Sequence, residues 1–318
     1  MQLRRIILTS DAADQFHVAV AIPTYRRPKQ VVRLVRTLRD IPGDGVTLSV
    51  VLSDDDPSST LEAAADRELR GTGIEFRYVP QDPRLGQGNN LVAAVRACPD
   101  ADYIWTMGDD DLPIIPAARQ FLAALRLSMP TVAVCEFRQG EHLEVGTFFE
   151  GEQRVITDLT EAVPLVTRFG KLSNSVFRQP STGLLDLVAD KFRGCMYDDK
   201  AIALLRLFED SEPTVLVFPE LTVRGTESFS TLPYSMRVFC NLPRTAELAW
   251  LESGLPRDQL SSVVTHMSER GWWRIGLRSH FSRKTPLRYR NRVLVREITW
   301  PVRQYFNARR DPSRWVGP

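Results

Sequence analysis

Three consecutive carboxylates, Asp109, Asp110 and Asp111, are the residues of this 318-residue chain whose type and spacing most directly indicate chemistry. They follow a short apolar run over 103–107, which predicts a buried strand. Carboxylates crowded at the end of a core strand repel one another unless a cation neutralises them. A hard divalent cation with oxygen ligands does so, and it would bring a diphosphate with it. Taken alone, the motif also fits an acidic turn that caps the next helix.

Two further acidic groups accompany this motif. The cluster 54–56 follows the predicted strand 48–53, so it lies at a carboxyl strand end, as 109–111 does. In parallel sheets such ends face one crevice, where ligands bind. Asp198 and Asp199 stand at the start of a predicted helix. There, a favourable interaction with the helix dipole is the alternative explanation for the acidic pair.

The elements that must position these groups alternate along the first part of the chain. Strands are predicted over 17–22, 48–53, 75–79, 103–107 and 131–137, and helices over 29–40, 58–69, from the 86–90 loop to 97, and 116–127. Such alternation predicts an α/β fold with a mostly parallel sheet covered by helices on both faces. Beyond residue 140 the pattern weakens to extended pieces over 143–155, 173–177, 215–218 and 221–223, helices over 184–192 and 200–208, and a helical region from about 234.

Charge is distributed unevenly. The net charge is +2, which neither favours nor excludes a nucleic-acid partner. Residues 271–318 contain twelve Lys/Arg against two acidic residues, a net of +10, with Trp272, Trp273 and Trp300 among the arginines. Two explanations stay open for this tail: ordinary helix packing with a solvated basic face, or an interfacial helix on an anionic membrane.

Targeting and redox signals are sparse. No stretch approaches eighteen apolar residues, and the N-terminal apolar run is shorter than a signal peptide requires. The four cysteines are widely spaced, which fits a reducing compartment and gives no zinc pattern. We expect a cytoplasmic protein that could lie peripherally on the inner face of the cytoplasmic membrane.

Five segments, taken in order, resemble one family. They are AVAIPTYRRP (19–28), VVLSDDDPSST (50–60), RLGQGNNLVAAV (84–95), YIWTMGDDDLP (103–113) and MYDDKAIALLR (196–206). Their order and spacing resemble the family 2 inverting glycosyltransferases with the GT-A fold. With KLSNSVFR (171–178), the chain looks closest to bacterial enzymes of surface-polysaccharide synthesis, such as the abequosyltransferase-like group. The resemblance covers about residues 15–225.

The resemblance implies a domain organisation and a reaction. A Rossmann-like GT-A domain would occupy 1–225, with a mostly parallel sheet flanked by helices, and a helical, basic region would occupy 226–318. The reaction would move a sugar from a nucleotide-diphosphate sugar to a saccharide acceptor, lipid-linked in related enzymes, with Mn²⁺ or Mg²⁺ as cofactor. No nucleic-acid partner is expected.

The resemblance also implies roles for individual residues. Asp198 or Asp199 matches the catalytic base; the spacing leaves the choice between them open, and we expect Asp199, or failing that Asp198, to be the base. Asp109, Asp110 and Asp111 match the metal-binding DxD region, where Met107 replaces the family's first Asp, so which two bind ribose and metal stays open. The resemblance implies that the nucleotide-sugar is contacted by Asp109 and Asp110 and also by Pro23, Thr24, Tyr25, Arg26, Asp54, Asp55, Arg84, Asn89 and Asn90. Of these, Arg84, Asn89 and Asn90 stand where the family usually has Asn and Arg-Asn.

Three other classes of protein share features with this sequence. A dinucleotide-dependent enzyme would need a third glycine in GQGNNL (86–91) and would carry it after the first strand. A sugar nucleotidyltransferase would carry a basic glycine-rich loop after the first strand, where PTYRRP has no glycine. A catalytically inactive GT-A-like scaffold of a polysaccharide assembly complex stays open, although the presence of all three acidic groups argues against it.

Overall fold

The computed structural model describes residues 16–43, 45–56, 58, 60–139, 149, 151–167, 172–192, 197–225, 245–256, 258–260 and 263. The strands are β1 Phe16–Thr24, β2 Val46–Asp54, β3 Glu75–Pro80, β4 Tyr103–Thr106, β5 Asp111–Pro113, β6 Val132–Gln139, β7 Arg154–Ile156, β8 Ser175–Arg178 and β9 Val215–Gly225. The helices are α1 Pro28–Leu38, α2 Leu61–Leu69, α3 Gln87–Arg96, α4 Ile115–Ser128, α5 Leu159–Val166, α6 Thr182–Lys191 and α7 Asp198–Glu209.

One nine-stranded sheet unites these strands in the order β3-β2-β1-β4-β8-β6-β9-β5, with β7 paired to β9. From β3 to β4 all neighbours are parallel, and helices separate them along the chain. The α/β prediction is confirmed. Because β1, β2 and β4 are covered on both faces, they read as continuous apolar runs.

The other half of the sheet is mixed. β8 lies antiparallel between β4 and β6, with Ile104 opposite Phe177 and Ala133 opposite Val176. β6 and β9 pair in parallel, with register shifts around Glu136. The expectation of a mostly parallel sheet therefore holds from β3 to β4, while in the other half β6–β9 is the one parallel pair among the described strands. A short strand such as β8 carries no periodicity that fixes its partner or direction.

Helices cover both faces of the sheet and enclose two cores. Adjacent strand residues point to opposite faces, so Val20 joins the core beneath α1, α2 and α4, while Ala21 joins the core beneath α3, α6 and α7. Trp105 and Phe121 pack edge to face in the first core, 5.7 Å between ring centroids. This double layer fixes the carboxyl ends of β1, β2 and β4.

The chain beyond 225 also contributes to this domain. A helix over 245–252 places Trp250 edge to face against Phe208 of α7, 5.4 Å between ring centroids. Trp250 and Ala246 belong to the same core as α7. The boundary at 225 stays a prediction, and the basic tail 271–318 lies outside the described residues. Within the part of the chain that the structure describes, no helix has the length and hydropathy to cross a bilayer.

Candidate active site

The acidic groups meet at one edge of the sheet. Asp54, the last residue of β2, lies beside Thr24, the last residue of β1. β4 pairs with β1 up to Thr106, and the loop that carries Asp109 follows directly. The parallel register thus brings the two strand-end clusters together, as the alternation of strands and helices predicted.

Asp109 and Asp110 share one cation. The Thr24 hydroxyl donates to Asp109 Oδ2 at 2.8 Å, and Arg27 Nη1 lies 3.2 Å from Asp109 Oδ1. The same nitrogen lies 3.3 Å from Asp110 Oδ2. Burial raises the pKa of Asp109 to about 6, although Arg27 and Thr24 act in the opposite direction. Arg27 did not emerge from the sequence as a site residue.

Asp111 is held differently from its two neighbours. It begins β5, where it pairs with Gly225 of β9. The Ser173 hydroxyl donates to Asp111 Oδ2 at 2.5 Å and accepts from the Gly108 amide at 2.8 Å. A Cβ on Gly108 would lie 2.7 Å from Asp111 Oδ2, so a larger residue there would have to displace the Asp111 carboxylate. These contacts give Asp111 a role in shaping the loop.

The pair formed by Asp109 and Asp110 fits a metal that arrives with a diphosphate. Two carboxylate oxygens, one from each residue, lie within 3.3 Å of a single cationic nitrogen. Among the described residues, no three His, Cys, Asp or Glu side chains converge as a complete metal site. Mg²⁺ sites in phosphate-binding enzymes use one or two carboxylates and take further oxygens from the substrate. Asp109 and Asp110 would hold such an ion.

Asp55 fastens the loop after β3 to the end of β2. The buried carboxylate accepts from Arg84 Nε at 3.0 Å, from the Leu85 amide at 2.6 Å and from the Gly86 amide at 2.9 Å. The Arg84 guanidinium carbon lies 3.7 Å from the centroid of the Tyr25 ring. Three residues predicted to contact the nucleotide, Tyr25, Asp55 and Arg84, therefore form one cluster.

The other residues of the first two motifs lie around this cluster. Asp54 is buried and accepts from the Tyr78 hydroxyl at 3.0 Å, so it braces β2 against β3. Pro23 is buried within β1. Arg26 adopts a left-handed conformation with φ of 56° and pairs with Asp56 at 3.2 Å. A non-glycine residue in that region is uncommon and often belongs to a functional loop.

Asn89 and Asn90, adjacent on α3, have different environments. Asn90 is buried, donates to the carbonyls of Thr24 and Ser53 at 3.1 Å each, and accepts from the Ser53 hydroxyl at 2.6 Å. It joins α3 to the ends of β1 and β2. Asn89 lines a cleft of about 290 Å³ between α3 and α6, together with Arg96 and Ala189.

Asp198 begins α7 and lies against the first turn of α3. Its carboxylate is buried, and a Cβ built on Gly88 would lie 2.4 Å from Asp198 Oδ2. Burial, followed by the charge of Asp199, raises the pKa of Asp198 to about 6. Gly88 lies two residues before Asn90 on α3, so Asp198 adjoins the same first turn whose Asn90 contacts the Thr24 carbonyl.

Replacing Gly88 with Ala should displace the Asp198 carboxylate, because the new methyl group would occupy its place. A shift of about 1 Å in a catalytic group can cost on the order of 100-fold in rate. We expect a loss of about 10- to 100-fold in turnover with an unchanged fold, measured by steady-state kinetics and circular dichroism. Gly183→Ala is the matched control: Gly183 occupies the same second position of α6, and its Cβ would meet only Ser181 Oγ, at 4.0 Å. Equal activity of Gly88→Ala and wild type would contradict this placement of Asp198.

Asp199 belongs to a buried ion pair. Its Oδ2 lies 3.0 Å from Lys200 Nζ, and both side chains are inaccessible to solvent. Lys200 Nζ also donates to Asn174 Oδ1 and Ser175 Oγ, at 2.6 Å each. Burial raises the pKa of Asp199 and lowers that of Lys200, while each partner's charge opposes the effect.

Sequence reasoning missed Lys200 and the polar residues 173–175. The sequence predicts an extended piece over 173–177, whereas Leu172–Asn174 is a 3-10 turn and β8 begins at Ser175. This turn joins two acidic groups, because Ser173 binds Asp111 and Asn174 binds Lys200. The signal that could have revealed it is the lysine directly after two aspartates in an otherwise apolar helix, since a buried lysine needs polar partners.

Comparisons with known proteins agree with this geometry. Residues 19–148 match the family model described as Glycosyl transferase family 2. S. aureus TarS 1-349 in complex with UDP superposes with a TM-score of 0.58 at 14% identity, over 92% of this chain and 79% of that chain. The mannosyltransferase PcManGT from Pyrobaculum calidifontis, in complex with GDP-Man and Mn²⁺, gives 0.51 at 13% identity, over 93% of this chain and 88% of that chain. No curated protein matches the sequence significantly. The chain is a glycosyltransferase with the GT-A fold.

Proposed function

We propose that this chain, which carries a family 2 glycosyltransferase domain over 19–148, transfers a sugar from a nucleotide-diphosphate sugar to a saccharide acceptor with inversion at the anomeric carbon. The acceptor hydroxyl oxygen attacks the anomeric carbon, its proton passes to a carboxylate of the protein, and the bond from that carbon to the diphosphate oxygen breaks. The nucleoside diphosphate leaves with the electron pair. The reaction needs an anion-neutralising group on one side of the sugar and a base on the other.

Asp109 and Asp110 support the first requirement. A Mg²⁺ or Mn²⁺ ion held by these carboxylates would neutralise the diphosphate and make it a better leaving group. Thr24 orients Asp109, and Ser173 orients the loop through Asp111. Relatives in fold bind UDP-GlcNAc in S. aureus TarS and GDP-Man with Mn²⁺ in PcManGT, which is consistent with a donor of this class.

Asp198 supports the second requirement better than Asp199 does. Asp199 is committed to Lys200, so its proton affinity and position are tied to a buried pair. Asp198 lies against Gly88, and its pKa of about 6 leaves it ionised at neutral pH yet basic enough to accept a proton. We therefore propose Asp198 as the base, a choice that the sequence alone leaves open.

One observation carries the proposal: α3 adjoins Asp198 directly and is connected to Asp109 through Thr24. Asn90 holds the Thr24 carbonyl, the Thr24 hydroxyl holds Asp109, and Gly88, two residues before Asn90, adjoins Asp198. The two carboxylates therefore flank the first turn of one helix. A nucleotidyltransferase or an inactive scaffold has no need of a buried carboxylate with a raised pKa on the far side of that helix.

The proposed base predicts a pH profile. Asp198 must be ionised to accept a proton, so turnover should fall about tenfold per pH unit well below pH 6. Asp109 has a pKa in the same range, so the profile is measured at saturating donor and Mn²⁺, where loss of metal binding does not limit the rate. A rate that stays constant from pH 8 to pH 4.5 would contradict a carboxylate base of this pKa.

A panel of nucleotide-sugars tests the function itself. UDP-, GDP-, TDP- and CDP-sugars are incubated with protein and Mn²⁺, and release of the nucleoside diphosphate is measured. We expect turnover with one class of donor, its loss in excess EDTA, and its loss in Asp109→Asn, because that variant removes a ligand of the metal. Full activity in EDTA would remove the metal from the proposal, and no turnover of any donor would argue for the inactive scaffold.

The acceptor is proposed as a saccharide on a lipid carrier, as in bacterial surface-polysaccharide synthesis. The proposal rests on the resemblance of the motifs and on the basic, tryptophan-containing segment 271–318, which would bind an anionic bilayer.

A further inference from the structure

Arg27 occupies the position where the proposed metal would bind. Its Nη1 lies 3.2 Å from Asp109 Oδ1 and 3.3 Å from Asp110 Oδ2, between the two oxygens that would hold the ion. The Arg27 carbonyl accepts from the Val31 amide in the first turn of α1, so the backbone is fixed there. The side chain is 38% exposed and has room to move outward.

Two cations cannot share this pair of carboxylates. A guanidinium and a divalent ion a few ångström apart repel each other strongly, because solvent and salt screen the repulsion only partly at a half-buried site. A metal entering alone must displace Arg27 from both carboxylates, at the cost of these two ion pairs. A metal entering with a diphosphate offers the guanidinium new ion pairs in exchange, because a guanidinium binds phosphate oxygens through paired N–H groups.

We propose that Arg27 is a resident counter-cation that keeps the Asp109–Asp110 pair from binding metal until a diphosphate arrives. On arrival of the metal with its diphosphate, the guanidinium moves from the carboxylates to the phosphate oxygens. Metal and diphosphate then bind as a unit, and the enzyme without donor retains little metal. This inference rests on the proposed function, because it assumes that these carboxylates serve a metal–diphosphate ligand.

Titration of the full-length protein with Mn²⁺ alone, followed by the electron paramagnetic resonance signal of free Mn²⁺, tests the first half. Arg27→Gln should bind Mn²⁺ at least about tenfold more tightly than wild type, because a competing charge is gone. Arg33→Gln is the matched control: it removes the same charge from an exposed residue of α1 that has no proposed role in the site. Its affinity for Mn²⁺ should stay within about twofold of wild type. Adding Asp109→Asn to Arg27→Gln should abolish the gain.

The same titration with inorganic pyrophosphate tests the second half without knowledge of the base or the sugar. In wild type, pyrophosphate should strengthen the binding of Mn²⁺ to the protein at least tenfold, after correction for the Mn²⁺ that pyrophosphate itself binds. This coupling should largely disappear in Arg27→Gln. Equal Mn²⁺ affinity in wild type and Arg27→Gln would overturn the inference, as would equal coupling in the two. Failure of glycosyl transfer is a separate result, seen as absence of turnover across the donor panel.

Discussion

Replacing Asp198 with Asn should lower the rate of sugar transfer by about 10²–10⁴-fold and leave donor affinity close to that of wild type. Asparagine keeps the shape of the side chain but cannot accept the acceptor's proton. The carboxylate lies against Gly88 of α3, and the substitution removes no group of the Asp55–Arg84 pair that is proposed to hold the nucleotide. Single-turnover kinetics at saturating donor measure the rate, and a thermal-shift titration with the active donor measures the affinity.

Two comparisons make this test specific. Asp190→Asn removes the same charge from α6, where the side chain is 76% exposed, and should leave the rate unchanged. Asp199→Asn should reduce stability, because it leaves Lys200 without its anionic partner. Full activity in Asp198→Asn, together with a slow but stably folded Asp199→Asn, would move the assignment of the base to Asp199. Retention of the anomeric configuration in the product would exclude single displacement altogether.

The sequence predicts those parts of the site in which the order of strands and helices alone determines where a residue lies. Asp54 and Asp109 each follow a run of apolar residues, and parallel strands place such ends at one edge, so their proximity needed no knowledge of side chains. The register of Thr24 beside Asp54 bears this out. The start of α4 at Ile115 likewise follows from Pro116, whose fixed φ suits a first helical turn.

The parts that escaped prediction depend on contacts between distant segments. α5 was not predicted, and its sequence contains Pro164, which is unusual inside a helix. The insertion of β8 between β4 and β6 is set by pairing between residues 41 to 75 positions apart, which a local pattern cannot encode. The same holds for Arg27 and Ser173, whose types are common and whose roles appear only from the carboxylates that they contact.

Replacing Lys200 with Met should destabilise the protein by about 3–5 kcal/mol, a large effect for one residue. Lys200 is fully buried, and its ammonium contacts Asp199, Asn174 and Ser175 at 3.0, 2.6 and 2.6 Å. Removal of the ammonium leaves a buried carboxylate and two polar groups that have lost their shared donor. Unfolding in urea, followed by circular dichroism, gives the change in free energy.

The sequence provides a matched control in Asp190–Lys191, a second adjacent Asp–Lys pair. Both side chains are exposed, and Lys191 Nζ lies 3.6 Å from Asp190 Oδ2. Lys191→Met should change the free energy of unfolding by less than about 0.5 kcal/mol. The double variant Asp199→Asn/Lys200→Met should recover much of the loss, because it removes both buried charges together. If it recovers stability yet turns over slowly, the pair also positions the start of α7, and with it Asp198. Equal effects of Lys200→Met and Lys191→Met would show instead that solvent reaches Lys200 and that the 172–175 turn does not hold it.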